Sequence, residues 1–260
     1  YTTAAPDDYT NGISAHNAHR WVVRDSEWYR IRTPTNDPVP TILFWSGSSD
    51  TVVERNLLVD CYQGISFGNS SQPGINHTGG IVRNNVIYAS LPHDVVVEMV
   101  HARDWLVAHN TALLLDPAPG LTWGMEARFS DSQGAFAHNL TNMDIISRDG
   151  AQVTLTGNIT SAASGWFVDA SEGDLHLRAS AAAAIDQAAP MAQVPDDFDG
   201  DARPIGTASD IGADEYVSPP SASVSFYLPL VIKGWSAPTC MTTTTLANGR
   251  ERPGWSCHRR

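Results

Sequence analysis

The sequence predicts an all-β chain: a right-handed, single-stranded parallel β-helix with three faces, closed by a C-terminal cap and followed by a disordered tail. Three observations carry that expectation. A short phrase recurs as Trp21-Val-Val-Arg-Asp-Ser26, Thr51-Val-Val-Glu-Arg-Asn56, Gly80-Ile-Val-Arg-Asn-Asn85 and Trp105-Leu-Val-Ala-His-Asn110, with weaker copies ending at Asn139 and Asn158. The closing polar residues fall 30, 29, 25, 29 and 19 residues apart. Each phrase also has a further apolar strand before it, and most have one after it. A supersecondary unit repeating at this length is the signature of a solenoid.

Each element follows from its own residues. The Asn-ended strands are short apolar runs that must turn sharply at a corner, and Asn tolerates the left-handed backbone region better than most residues with side chains. Coils stacked about 4.8 Å apart would let equivalent Asn amides hydrogen-bond along the axis as a ladder, with Ser26 as a weaker hydroxyl rung. A strand precedes each phrase at residues 12–16, 41–45, 64–67, 94–98 and 124–128, and a third follows at 28–31, 57–60, 86–88 and 111–115. Parallel strands joined by crossovers are right-handed in nearly all cases, which sets the expected hand. Loops at 33–40, 69–79 and 116–120 interrupt the coils and should cluster on one side to shape a groove. The run 181–184 is the one helix candidate and is short.

After Asn158 the repeat decays. Asp196-Asp-Phe-Asp-Gly-Asp-Ala-Arg-Pro204 and Asp210-Ile-Gly-Ala-Asp-Glu-Tyr216 read as a cap over the open apolar end that a solenoid must protect. The expected organisation is coils over 1–195, a cap motif over 196–216, and a Ser/Pro/Thr-rich linker and tail over 217–260 with one apolar patch at 226–232. The chain opens at Tyr1 without a charged-then-apolar leader, and its strands begin almost at once. A mature form or a fragment lacking upstream coils is therefore expected.

The formal net charge is −12, with Lys233 as the single lysine among sixteen Lys and Arg residues. With no basic stripe, nucleic acid is an unsuitable partner. A polyanionic glycan would be repelled unless Arg or a divalent cation bridges it. The apolar runs fall far short of the roughly 20 residues of a membrane helix. Cys61 reads as a buried apolar residue, while Cys240 and Cys257 are free to pair in an oxidising compartment.

The leading candidate site lies on the strands preceding the Asn-ended ones. Glu98 stands 12 positions before Asn110 and Glu126 stands 13 before Asn139, so one residue of difference in the turn brings them into register. Both follow an apolar residue expected to point inward, Val97 and Met125, which turns both carboxylates outward about 5 Å apart, with Arg128 on the same face. Ser14 and Ser66 hold comparable positions on earlier coils, and His16 lies nearby. Close carboxylates raise one another's proton affinity or bind a hard cation, and a pair near 5 Å fits retaining glycoside hydrolysis. The competing reading is a structural Glu–Arg ladder on a solvated face. A second cluster joins His93 and Asp94 with His101 and Arg103 at the opposite turn, as acid–base or substrate-binding groups. His109 and His138 read as turn residues. Trp45 and Trp123, with Trp28 and Tyr88, are candidate platforms for sugar rings. Asp197, Asp199 and Asp201 resemble an oxygen-rich cation loop suited to Ca2+, against a plain cap turn in which Asp199 meets Arg203.

The coils resemble right-handed parallel β-helix repeat proteins of the pectate-lyase-like superfamily. The two Asp-rich phrases resemble the choice-of-anchor Q segment of bacterial secreted proteins. The 226–232 patch is similar to endings common in secreted proteins of Chloroflexi-like bacteria. This resemblance implies extracellular or cell-surface placement and allows polysaccharide lyases, glycoside hydrolases, epimerases or adhesins. Lyases of this kind commonly combine calcium-binding carboxylates with a Lys or Arg base, and no Lys lies in the coils. The expected function is a monomeric polysaccharide lyase or glycoside hydrolase acting on an acidic polysaccharide. Its rival is a non-catalytic adhesive solenoid that binds glycans. A groove walled by loops 33–40 or 69–79 favours the enzyme, and a flat face with its Glu residues tied off by Arg favours the rival.

Overall fold

The computed structural model describes residues 10–115 and 123–218. Among them the chain winds as a parallel β-solenoid with three faces. The first face stacks Ile13–His16, Pro40–Trp45, Gln63–Phe67, Val95–Val100, Trp123–Arg128 and Ile145–Arg148 in chain order. The second stacks Val22–Arg24, Val52–Glu54, Ile81–Arg83, Ala102–Ala108, Gln133–Ala137 and Gln152–Thr156, and the third stacks Glu27–Tyr29, Leu57–Val59, Val86–Ala89, Thr111–Leu114 and Leu140–Thr141.

Successive windings lie in register. Val23, Val53, Val82, Val107 and Phe136 form one inward column on the second face. Burying each such side chain contributes roughly 1.5–3 kcal/mol relative to leaving it exposed. On the first face Ile42 and Phe44, Ile65 and Phe67, Val97 and Met99, and Met125 and Ala127 enter the same core. The alternate row carries Ser14, Leu43, Ser66, Glu98 and Glu126, each paired with the next.

The Asn ladder forms as expected. Asn56, Asn85 and Asn110 each donate from Nδ2 to Oδ1 of the following ladder Asn at 3.0, 2.9 and 2.9 Å, and Asn139 does so to Asn158 at 2.9 Å. Each backbone N–H donates to that same oxygen. The second Nδ2 hydrogen reaches a carbonyl one coil back, at Val23, Val53, Val82 and Val107.

Two details differ from expectation. The left-handed residue is the one before each ladder Asn: Arg55 (φ 50°), Asn84 (52°), His109 (51°), His138 (54°) and Gly157 (59°). This places His109 and His138 at turns, as read from the sequence. Ser26 does not join the ladder. Its hydroxyl donates to Arg24 O at 2.9 Å, and buried Asn56 Oδ1 is left without a hydrogen bond.

The segment after Asn158 leaves the repeat. It runs along the flank of the solenoid, where Phe167, Leu175, Leu177, Ala184 and Ile211 pack on Val86, Tyr88, Leu113 and Leu140. The outward row of the third face is apolar and requires cover. Among the described residues the end of the second face is little covered, with Leu155 in register with Phe136 yet 54% exposed. Backbone contacts fix the strap: His109 Nδ1 bonds Asp210 O at 3.0 Å, Gly212 N donates to His138 O at 2.9 Å, and Ala213 N donates to Thr111 Oγ1 at 2.8 Å. Arg203 is its hub, donating to the carbonyls of Asp196, Asp210 and Gly212 and pairing with buried Glu215. Glu215 therefore takes the partner expected for Asp199. The 181–184 run forms turns whose Ala181 and Ala184 are buried, and the one helical element among the described residues is the 3-10 turn Ser164–Trp166.

Candidate functional site

The in-register stack brings Glu98 directly beside Glu126. Two further acidic and basic groups converge on them. Asp94 sits at the turn leading into Val95–Val100, and Arg148 lies on the next strand, paired in register with Arg128. Together with Gln63, Ser66 and Trp123 these residues line a cleft of about 210 Å³. Its walls include Pro38 and Pro40 from one loop and Asn69 and Ser70 from another, the two loops the sequence singled out. The 116–120 loop lies outside the described residues.

The cleft also has the ion pairs of the rival reading. Arg148 binds Glu126 through Nη2–Oε1 at 3.0 Å and approaches Oε2 with Nε at 2.9 Å. That second approach is an ion contact without hydrogen-bond geometry, because neither atom has a directed partner. Arg128 stands 3.8 Å from Glu98 and donates to Asp149 Oδ2 at 3.0 Å. The Arg148 guanidinium also lies 4.9 Å from the centre of the Trp123 ring, a cation–π approach.

Three carboxyls against two guanidiniums in a partly dry cleft cannot all ionise freely. Burial pushes the Glu98 carboxyl well above its ordinary range, and the neighbouring Glu126 adds to the shift. Glu126, 2% exposed, is also raised by burial, but Arg148 and Arg128 pull it back. Charge on Glu126 disfavours a second charge on Glu98, and Arg148 favours the ionised form of Glu126, so of the two Glu98 is the one held towards its protonated form. Asp94 rises to about 6, first through burial and then through Glu126. Gln63 Nε2 donates to Glu98 Oε2 at 3.3 Å.

The other expected residues are placed as follows. His16 and Trp45 meet edge to face at 4.4 Å on the first two coils of the same face, apart from the carboxyl cleft. His101 and Arg103 lie at the corner leading into the second face. His101 bonds Asp131 Oδ1 at 2.7 Å and stacks on Phe129, and Arg103 donates to Asp131 O at 3.1 Å. Neither lines the cleft. His93, expected to meet substrate, is 3% exposed and turned inward, with Nδ1 on Cys61 O at 2.7 Å and its pKa lowered to about 4 by burial. Trp28 packs against the core and Tyr88 is buried with its hydroxyl on Ser171 O, so neither is an open sugar platform.

The Asp197/Asp199/Asp201 loop is a turn held by its first member. Asp197 is buried, its Oδ1 accepts the Asp199 and Asp201 N–H groups at 3.0 and 2.8 Å, and its Oδ2 accepts Glu215 N at 3.0 Å. Both of its oxygens thus serve backbone N–H groups of the turn and of Glu215. Asp199 instead reaches His176 Nε2 at 3.0 Å.

Asp94, Arg148 and Gln63 are polar cleft residues that sequence reading did not assign to this site. Sequence reading groups Asp94 with its neighbour His93, but at this corner His93 turns inward while Asp94 lines the cleft. Arg148 belongs to a strand without the recurrent phrase, and its signal is the Ile-Ile-Ser-Arg alternation at residues 145–148. A scan against protein-family models, a search of curated proteins and a search of solved structures each return no match.

Proposed function

We propose that this is a secreted, carbohydrate-active solenoid, of pectate-lyase-like ancestry with a choice-of-anchor Q type ending, that hydrolyses glycosidic bonds in the cleft over Glu98 and Glu126. The observation that carries this reading is the in-register Glu98–Glu126 carboxyl pair inside a loop-walled cleft. Glu98, which keeps its proton, is the acid that protonates the departing glycosidic oxygen. Glu126, ionised beside Arg148, attacks the anomeric carbon as that C–O bond breaks. Water then cleaves the glycosyl ester with Glu98 now acting as base. In-register neighbours on adjacent strands stand about 4.8 Å apart, closer to the 5–5.5 Å of retaining pairs than to the wider spacing of inverting ones.

Hydrolysis is favoured over elimination from a uronate. Elimination needs a strong base and a free cation for the substrate carboxylate, and both cleft arginines are paired with acids. The preferred substrate is therefore a polysaccharide whose reacting sugar is uncharged, rather than the acidic polymer expected from sequence. The Glu126–Arg148 ion pair favours one alternative, a non-catalytic glycan-binding solenoid. Incubating the full chain with neutral and acidic polysaccharides separates them. Hydrolysis yields new reducing ends without an ultraviolet-absorbing unsaturated product, elimination yields both, and a binder yields neither.

A further inference from the structure

We propose that His176, Asp199 and Asp214, on the flanking strap, form a site for one divalent transition-metal ion of the zinc or manganese class, independent of the first-face cleft. Each residue presents a ligand atom, and the three atoms lie within 4.8 Å of one another. They come from three separate pieces of chain: the strand Asp174–Leu177, the turn closed by the Asp196–Ala202 bridge, and the terminal segment. The 3.0 Å between His176 Nε2 and Asp199 Oδ2 is close to the roughly 3.4 Å that separates two ligands each about 2.1 Å from a tetrahedral ion. Asp174 Oδ1 bonds His176 Nδ1 from the other side. That is the carboxylate–imidazole arrangement that fixes the ring of a metal-binding His and aims its second nitrogen.

An independent observation concerns Asp214. It is 7% exposed, and its Oδ2 accepts Leu177 N at 2.6 Å. Its Oδ1 has no hydrogen bond among the described residues. That oxygen is not sealed from solvent, so it stays reachable by a cation. Asp214 and His176 both line a cavity of about 260 Å³, shared with Asp174, Glu172 and the apolar Leu57 and Val86. The cavity leaves room for an ion and its water beside three protein ligands, the open coordination of a non-structural zinc site. Calcium is disfavoured, because it takes six to eight oxygens and this set includes an imidazole nitrogen. A bound ion would tie the three pieces of the strap to one another.

The test uses the full chain, stripped with chelator and dialysed, then titrated calorimetrically at pH 7.5 with zinc, manganese or calcium chloride and melted with each. Zinc or manganese should bind one per chain and raise the melting temperature by about 5–10 °C at a hundredfold excess over Kd. H176Q and D199N, both at exposed side chains, should weaken binding at least tenfold while circular dichroism shows them folded. H19Q, elsewhere on the surface, should bind like the parent. Absence of one-to-one binding, binding of calcium alone, or affinity that survives H176Q and D199N would overturn the proposal.

Discussion

The Asn corner and the Glu cleft obey the same geometry with opposite results. Both stack like residues on successive coils, about one strand spacing apart. An amide carries donor and acceptor, so each rung of Asn56, Asn85, Asn110, Asn139 and Asn158 satisfies the next. A carboxylate only accepts, so stacking Glu98 on Glu126 leaves two acceptors facing each other until one takes a proton. Register amplifies whatever residue occupies the row, giving rigidity in one place and a poised acid in the other.

The largest expected effect lies in the cleft. E98Q and E126Q should each lower the rate of glycoside hydrolysis by about 10²–10⁴-fold, the usual share of a positioned acid or base. Reducing-end assays on the active polysaccharide measure this, and a loss below tenfold would remove these carboxyls from the chemistry. Next comes the ladder. N110A deletes the acceptor of Asn85 N and Nδ2 and the donors to Val82 O and Asn139 Oδ1. At about 1 kcal/mol per lost bond the cost is about 4 kcal/mol, read from urea unfolding midpoints.

The third prediction contrasts the two stacks through pH. Glu98 holds its proton above its ordinary 4.5, so between that value and its raised one the folded chain binds more protons than the unfolded chain. Stability from this group therefore falls as pH rises. His77 and His93, each lowered to about 4 by burial, act in the opposite sense, losing stability as pH falls from 6.5 towards 4. Comparing variant with parent cancels the histidines. The stability gain of E98Q over the parent should be near zero below pH 4.5 and grow with pH. A gain independent of pH would mean that Glu98 ionises normally. The smallest effect tests the unfinished end of the ladder. S26N supplies the missing donor to Asn56 Oδ1 and should add about 1 kcal/mol, and a loss of stability would mean that this corner differs from the other five.

What the sequence made legible was whatever the repeat carried. The Val53–Val82–Val107 column, the Asn rungs and the outward Glu pair each follow from a period and an alternation. Arg148 escaped because its strand lacks the phrase that announces the others, and its place is set by pairing with Arg128. The inward turn of His93 escaped because alternation cannot be carried through an irregular corner. The strap escaped most fully. Past Asn158 there is no period to follow, and its position is decided by apolar rows on the third face, formed by residues 27 (Leu140 to Phe167) to 125 (Val86 to Ile211) positions earlier in the chain.

The most direct test of the central claim is a carboxyl titration. With 13C-labelled glutamate followed by NMR from pH 3 to 10, and E98Q and E126Q providing assignments, one carboxyl of the pair should remain protonated well above 4.5 and move down towards the ordinary range when Glu126 is replaced. Two carboxyls that both titrate below pH 5, each indifferent to loss of the other, would contradict the account.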